Sequence, residues 1–298
     1  MKRSALARLF NPLPQDQQAQ GFRPNGYIRA LKAMSRLIIV LLRLTGASRW
    51  SNEFIQALDP RVSRTVRGMS LVFRTGHGRL LWRAHAFDVE EPEMIDWICA
   101  MPDSAVFCDI GANVGCYSVF AAKRGIQTLA IEAEAWNYSL LMQNVFLNDV
   151  QRKVVGLQLP LGETSGLETL YMKQMSPGDA LHSVGRPSGI LDANRFVPLE
   201  IRTPVVSLDD AIRLFQLPVP THIKIDVDGN EWAILKGLAK TLPQVSEVMV
   251  EIDDANPTHR DIASWICARG FVQSEKHIHA TGYSEAIGNV LFKRKIAS

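Results

Sequence analysis

VFCDIGANVG, residues 106–115, is an apolar run that meets an acid and then two glycines bracketing an asparagine. A β-branched and aromatic run ending this way, followed by the helix-compatible CYSVFAAKRG (116–125), predicts a buried strand, a tight turn and a helix start. Gly111 permits a sharp exit from the strand, and Gly115 lets the backbone come close to a ligand. Asp109 places a carboxylate at the strand end, where open α/β sheets bind ligands; a carboxylate there suits a cationic partner.

The spacing separates the candidate ligands. A dinucleotide loop reads Gly-x-Gly-x-x-Gly, and a P-loop ends in Gly-Lys-Ser/Thr; this stretch has neither, with Asn113 standing where a dinucleotide loop has its second glycine. Asp-x-Gly-x-Asn-x-Gly resembles instead the first motif of the Rossmann-like S-adenosylmethionine-dependent methyltransferases. TLAIEA (128–133), about 20 residues on, is a second short apolar strand ending in Glu132, an acid placed to accept hydrogen bonds from ribose hydroxyls. The bland alternative is a tight turn followed by an ordinary strand-end acid.

At 298 residues and 47% hydrophobic, the chain has room for one full α/β domain and an additional segment. Cys99, Cys108, Cys116 and Cys267 show no metal-ligand spacing and read as small apolar fillers in a reducing, cytoplasmic setting. Charge is asymmetric: residues 1–83 hold 15 Lys and Arg against 3 Asp and Glu, and residues 84–298 hold 18 against 27. The expected division is a basic extension over 1–60 and an enzyme-like domain over 61–298.

Residues 27–44, YIRALKAMSRLIIVLLRL, have helical periodicity that gathers Arg29, Lys32, Arg36 and Arg43 within about 60° of one another. This basic amphipathic helix is expected to pack on the protein's own domain; contact with a membrane surface or a partner is the alternative. The apolar run from Leu37 to Leu42 is too short to span a bilayer. SLVFRTG (70–76) and RLLWRAH (79–85) read as a hairpin, and EPEMIDWICAM (91–101) as a helix. After Glu132 come a helix at 137–149, a third strand KVVGLQLPL (153–161) ending in Leu161, and a further strand in ETSGLETLYM (163–172). Residues 173–194 read as a long loop able to close over a substrate, RTPVVSL (202–208) as a strand, and DDAIRLF (209–215) as a helix capped by Ser207 or Asp209.

THIKIDVDGNEWAILKGL (221–238) is the second chemical centre. Its strand carries Lys224 and ends at Asp226, and Asp228 and Glu231 follow within six positions. Clustered carboxylates repel unless something cationic or hydrogen-bonding is near, which makes them candidates for substrate or metal contact; Asp228 and Glu231 also have capping-box spacing. EVMVEIDD (247–254) is a buried strand, PTHRDIASWICARG (257–270) a helix stopped by Gly270, and FVQSEK (271–276) and NVLFKRK (289–295) complete the sheet, the last as an antiparallel strand between its neighbours. His277 and His279 fall in the connecting loop and read as surface histidines.

From roughly residue 88 to 295 the chain resembles the FkbM-type methyltransferases, through EPEMIDWI, VFCDIGANVG, LGETSGLETLYM, VVSLDDAI, IKIDVDGNEWAILKGL, MVEID and NVLFKR in that order. The family usually has Glu where Asp228 stands here. The resemblance implies an α/β fold, a Rossmann-like seven-stranded and mostly parallel sheet with helices on both faces. It also implies S-adenosylmethionine as cofactor, and a hydroxyl on a sugar, glycolipid or other small natural product as methyl acceptor. It puts Asp109, Gly111, Asn113 and Gly115 on the methionine side of the cofactor, Glu132 on the ribose side and Leu161 among the cofactor contacts. Asp226 becomes the base or substrate anchor, with Glu231 and His182 as further catalytic candidates and no metal ligand assigned. A nucleic-acid acceptor is disfavoured, because the Asn/Asp-Pro-Pro-aromatic motif of amino-methylating enzymes is replaced by Asp226-Val-Asp-Gly.

Overall fold

The computed structural model describes residues 26–46, 50, 58–76, 78–185, 199–278 and 286–295. The chain forms two units that divide between Pro60 and Arg61. The first contains α1 (Gly26–Leu44), a helix of 19 residues.

The second unit opens on a hairpin of β1 (Arg61–Val66) and β2 (Met69–Arg74). Arg67 and Gly68 join the strands at φ 47° and 80°, and positive φ at both turn residues matches the twist of an antiparallel pair. The expected partner of β2, residues 79–85, is instead part of α2 (Gly78–Glu90). Helical spacing decides this: Leu80, Ala84 and Phe87 recur at i, i+4 and i+7 and are all buried. α3 (Pro92–Ala100) follows, with proline in its first turn.

The core is a seven-stranded sheet built from β3 (Val106–Ile110), β4 (Gln127–Glu132), β5 (Val154–Gln158), β9 (His222–Ile225), β10 (Glu247–Asp253), β11 (Phe271–Ile278) and β12 (Ile287–Arg294). Across the sheet the order is β11-β12-β10-β9-β3-β4-β5. All neighbours are parallel except β12, which runs antiparallel between β10 and β11. The sheet is thus seven-stranded and mostly parallel, as the resemblance implies. β3 is covered on both faces: Phe107 packs in one apolar layer with α2, α3 and α4 (Cys116–Lys123), while Cys108 and Ile110 pack in the other with α7 (Glu231–Gly237). The chain leaves β3 toward β4 on one side and returns beside it as β9 on the other, and a ligand crevice forms at the carboxyl ends around such a reversal.

α5 (Ala135–Leu147) links β4 to β5. A second sheet, ordered β7-β6-β8, is made of β6 (Gly166–Met172), β7 (His182–Val184) and β8 (Leu199–Val205). β7 lies within the stretch read as a continuous loop, pairing with β6 at Leu170–Met172, and residues 186–194 of that stretch lie outside the described residues. α6 (Leu208–Phe215) is capped by Ser207, whose Oγ accepts from the Asp210 N–H at 3.1 Å. The helix expected over 257–270 is shorter, α8 (Ile262–Cys267). His277 sits in β11, paired with Asn289 of β12, and not in a loop; His279 lies outside the described residues.

Candidate functional site

The loop after β3 is shaped by three residues with positive φ: Gly111 (79°), Asn113 (50°) and Gly115 (82°). The N–H groups of Gly111 and Ala112 both donate to the Ile131 carbonyl at 3.0 Å, which ties the loop to the end of β4. Gly111 faces the Asp226 backbone, with no room for a Cβ between them. Asn113 tolerates its left-handed backbone, and its side-chain amide donates to the Asp179 carbonyl at 2.8 Å, where Asn137 also donates at 3.0 Å. The role read for Gly115 differs in the structure: a Cβ there would lie 2.9 Å from Leu141 Cγ, so this glycine sets the approach of α5 and does not line the cavity.

A cavity of about 290 Å³ opens at the carboxyl ends of β3, β4 and β9, with Gly111, Asn113, Glu132, Leu161, His182 and Asp226 in its wall. Glu132 Oε2 accepts from the Asn113 N–H and Oε1 from the Glu134 N–H, both at 2.8 Å. Burial pushes its carboxyl up to about 7, against the pull of these two donors. Each oxygen keeps a lone pair for a ligand hydroxyl. His182, in β7, is brought to the Glu132 side of this wall: the carboxylates acting on its ring are Glu134 and Asp179. Burial lowers its basicity, and both ring nitrogens are buried without a hydrogen-bond partner. His182, a further catalytic candidate from the sequence, and Asp226 both stand in the wall of this cavity.

The other end of the cavity is built around Lys224, buried in β9. Its Nζ lies 2.8 Å from Asp226 Oδ2, 3.6 Å from Asp109 Oδ1 and 5.6 Å from the centre of the Tyr117 ring. Burial works against the ammonium, but Asp226 and then Asp109 outweigh it, so Lys224 is held charged. Asp109 is fully buried and lies outside the cavity wall, receiving the Ser118 hydroxyl at 2.6 Å; burial raises its carboxyl while Lys224 and Ser118 oppose. Its cationic partner is Lys224, where the sequence reading expected a ligand. Asp226 is about a third exposed and faces the cavity.

Asp228, at φ 58°, accepts the Leu181 N–H at 2.6 Å and so pins the segment leading into β7. Burial, then repulsion from Asp226, pushes its carboxyl up to about 7. Glu231 is completely buried: Oε1 accepts from the Gly229 N–H at 3.0 Å and Oε2 meets His259 Nε2 at 2.7 Å. Because His259 Nδ1 accepts from the Asp253 N–H at 3.0 Å, its proton resides on Nε2 and is donated to Glu231. Glu231 therefore braces the 226–231 loop and does not face the cavity, and no capping box forms, since the Asp228 carboxylate is engaged by Leu181.

Several wall residues carried no readable signal. Trp82 and Arg83 line the cavity from α2, which the hairpin reading had hidden, and Arg83 Nε donates to the Gly178 carbonyl at 2.7 Å. Glu251 lies inside β10, its carboxyl raised well above the usual range by burial and then by Asp226 and Asp228. Tyr117 donates its hydroxyl to Glu91, and Asn289 of β12 donates to Glu91 at 3.2 Å and to Glu93 at 2.9 Å. An acid in the middle of an otherwise apolar strand is the one signal that marks Glu251; nothing marks His259 or Asn289. No group of three or more His, Cys, Asp or Glu side chains among the described residues is arranged to hold a metal ion.

Residues 109–272, more than half of the chain, match the sequence model of the methyltransferase FkbM domain. The chain is similar to hexuronic acid methyltransferase AglP of Haloferax volcanii, 22% identical over 222 residues that cover 74% of this chain and 82% of the relative. It is also similar to methyltransferase sdnD of Sordaria araneosa, 24% identical over 199 residues that cover 58% of this chain and 76% of the relative. Among solved structures it is similar to the FkbM methyltransferase of Methylobacillus flagellatus KT, with a TM-score of 0.45 at 16% identity; the match covers 65% of this chain and 45% of that one, less than half its length.

Proposed function

This chain belongs to the methyltransferase FkbM family, and on that premise we propose that it moves a methyl group from S-adenosylmethionine to a hydroxyl of a sugar, glycolipid or other small natural product. The observation that carries this reading is one cavity walled by Gly111, Asn113 and Glu132 at one end and by Asp226 at the other. The residues suit that cofactor. Glu132 offers free lone pairs to a ribose diol, and the β3 loop lacks the phosphate-cradling pattern of a dinucleotide site. When bound, S-adenosylmethionine supplies an electrophilic methyl group on a sulfonium.

The protein's own part is to orient and to take a proton. Asp226 accepts the proton of the acceptor hydroxyl as that oxygen becomes acidic, and Lys224, 2.8 Å away, fixes its direction. Holding hydroxyl and methyl in line supplies the larger share of the acceleration, since the chemistry needs little else from the enzyme.

The acceptor is neutral or carries an amino group. Asp226, Asp228, Glu251 and Glu91 line the cavity against two cations, Arg83 and Lys224, and Lys224 is already engaged by Asp109 and Asp226. A uronic acid, the acceptor named for the Haloferax relative, would set a further carboxylate into a wall that already holds Asp226.

Calorimetric titration tests the cofactor. Wild-type protein is expected to bind S-adenosylmethionine and S-adenosylhomocysteine at micromolar concentration, with affinity lost in Glu132→Ala; a folded wild-type protein that binds neither overturns the proposal. An acceptor screen then sets neutral and amino sugars against uronic acids, and preferential methylation of the uronic acids would refute the assignment of acceptor charge.

A further inference from the structure

We propose that α1 docks on an anionic lipid surface, lying in the plane of the interface with its apolar stripe in the acyl region. Met34, Leu37, Ile38, Leu41 and Leu44 follow one another at three- and four-residue steps, so they form one continuous stripe along the helix. All five are exposed, Leu37 by 59% and Leu44 by 78%. A continuous row of large aliphatic side chains along one face of a helix is the signature of a surface with a partner still to meet.

The charges say what that partner is. The helix has no acid anywhere in its 19 residues, and its Arg and Lys positions, 29, 32, 36 and 43, all fall on the face opposite the stripe. Residues 1–60 hold nine Lys and Arg against three Asp and Glu. A basic row opposite an aliphatic stripe satisfies a bilayer interface in both its layers, because the headgroups attract the cations and the acyl boundary takes the stripe. A second copy of the helix would complement the stripe but would bring a second basic row with it. The helix does not cross the membrane: Arg36 sits near its middle, and no helix among the described residues is long and apolar enough to span a bilayer. None of this depends on the catalytic reading.

Vesicle flotation with the full chain tests it, comparing pure phosphatidylcholine with phosphatidylcholine containing roughly 30 mol % phosphatidylglycerol. The wild type is expected to float with the anionic vesicles at least about tenfold more than with the neutral ones, and the difference shrinks as salt is raised. The double variant Leu37→Glu/Leu41→Glu stays in the soluble fraction, Arg36→Glu floats several-fold less, and Arg36→Lys floats as the wild type does. All three variants keep wild-type melting temperature and cofactor affinity, which separates lipid docking from folding and from the active site. Wild-type protein that stays soluble with anionic vesicles at low salt overturns the proposal, as does a double variant that still floats. Sedimentation equilibrium in which the wild type is a dimer and the double variant a monomer would reassign the stripe to self-association.

Discussion

A Cβ added to Gly111 would lie 1.8 Å from the carbonyl oxygen of Asp226. The two loops that carry the chemistry, more than a hundred positions apart in sequence, thus touch at a point with no space for a methyl group. Gly111→Ala also forces an L side chain into φ 79°. The variant is expected to lose about 2–5 kcal/mol in a denaturant melt. Its cofactor binding is lost too, because the loop that yields is the one lining the cavity.

Glu132 and Asp228 give the protein a defined response to pH. Both carboxyls are pushed up to about 7 by burial, from 4.5 and 3.8. A raised carboxyl holds its proton more tightly when folded than when unfolded, so its contribution to stability is complete below the ordinary value and is lost as pH rises through about 7. The ligand-free protein should lose stability between pH 5 and pH 8 on account of these groups. Ribose hydroxyls favour the ionised form of Glu132, so cofactor binding expels its proton and tightens by about tenfold between pH 6 and pH 8. Titration in buffers of different ionisation enthalpy measures the released proton, and Glu132→Gln abolishes that release.

Asp226→Asn removes the proton acceptor while keeping the contact with Lys224. Turnover is expected to fall about 10²- to 10⁴-fold with cofactor affinity unchanged. Equal losses in turnover and cofactor affinity would mean that Asp226 shapes the pocket and takes no proton. Lys224→Met removes the one cation between Asp109 and Asp226 and is expected to cost about 3–5 kcal/mol of stability.

His259→Ala takes away the donor to the buried Glu231 carboxylate and the acceptor of the Asp253 N–H together. A loss of about 2–4 kcal/mol follows from the unpaired groups. The 226–231 loop loosens, so KM for the acceptor rises more than kcat falls. Steady-state kinetics alongside a melt separates these effects.

Glycine spacing and strand-end acids are legible along the chain; contacts between segments distant in sequence are not. The β3 loop and Glu132 announce themselves through glycine spacing and strand-end position, and the strand order follows from alternating strands and helices. Asp109 and Glu231 were recognised as important acids but given the wrong neighbours, because sequence does not show that Lys224 and His259 point back at them. Residues 79–85 were misread for a local reason: seven residues after a glycine-rich turn fit strand alternation, and only the longer window to Glu90 shows the recurrence at Leu80, Ala84 and Phe87. Arg83 and Trp82 were lost with that helix.

The place of β12 has a kinetic consequence. Among the described residues, strand β11 has no sheet partner except β12, and β12 follows it in the chain, so a protein emerging residue by residue holds β10 with one open edge until residues 287–294 arrive. The same strand carries Asn289 to Glu91, bridging a sequence separation of 198. Closure is therefore a late event, and until it happens β10 presents an open β-edge.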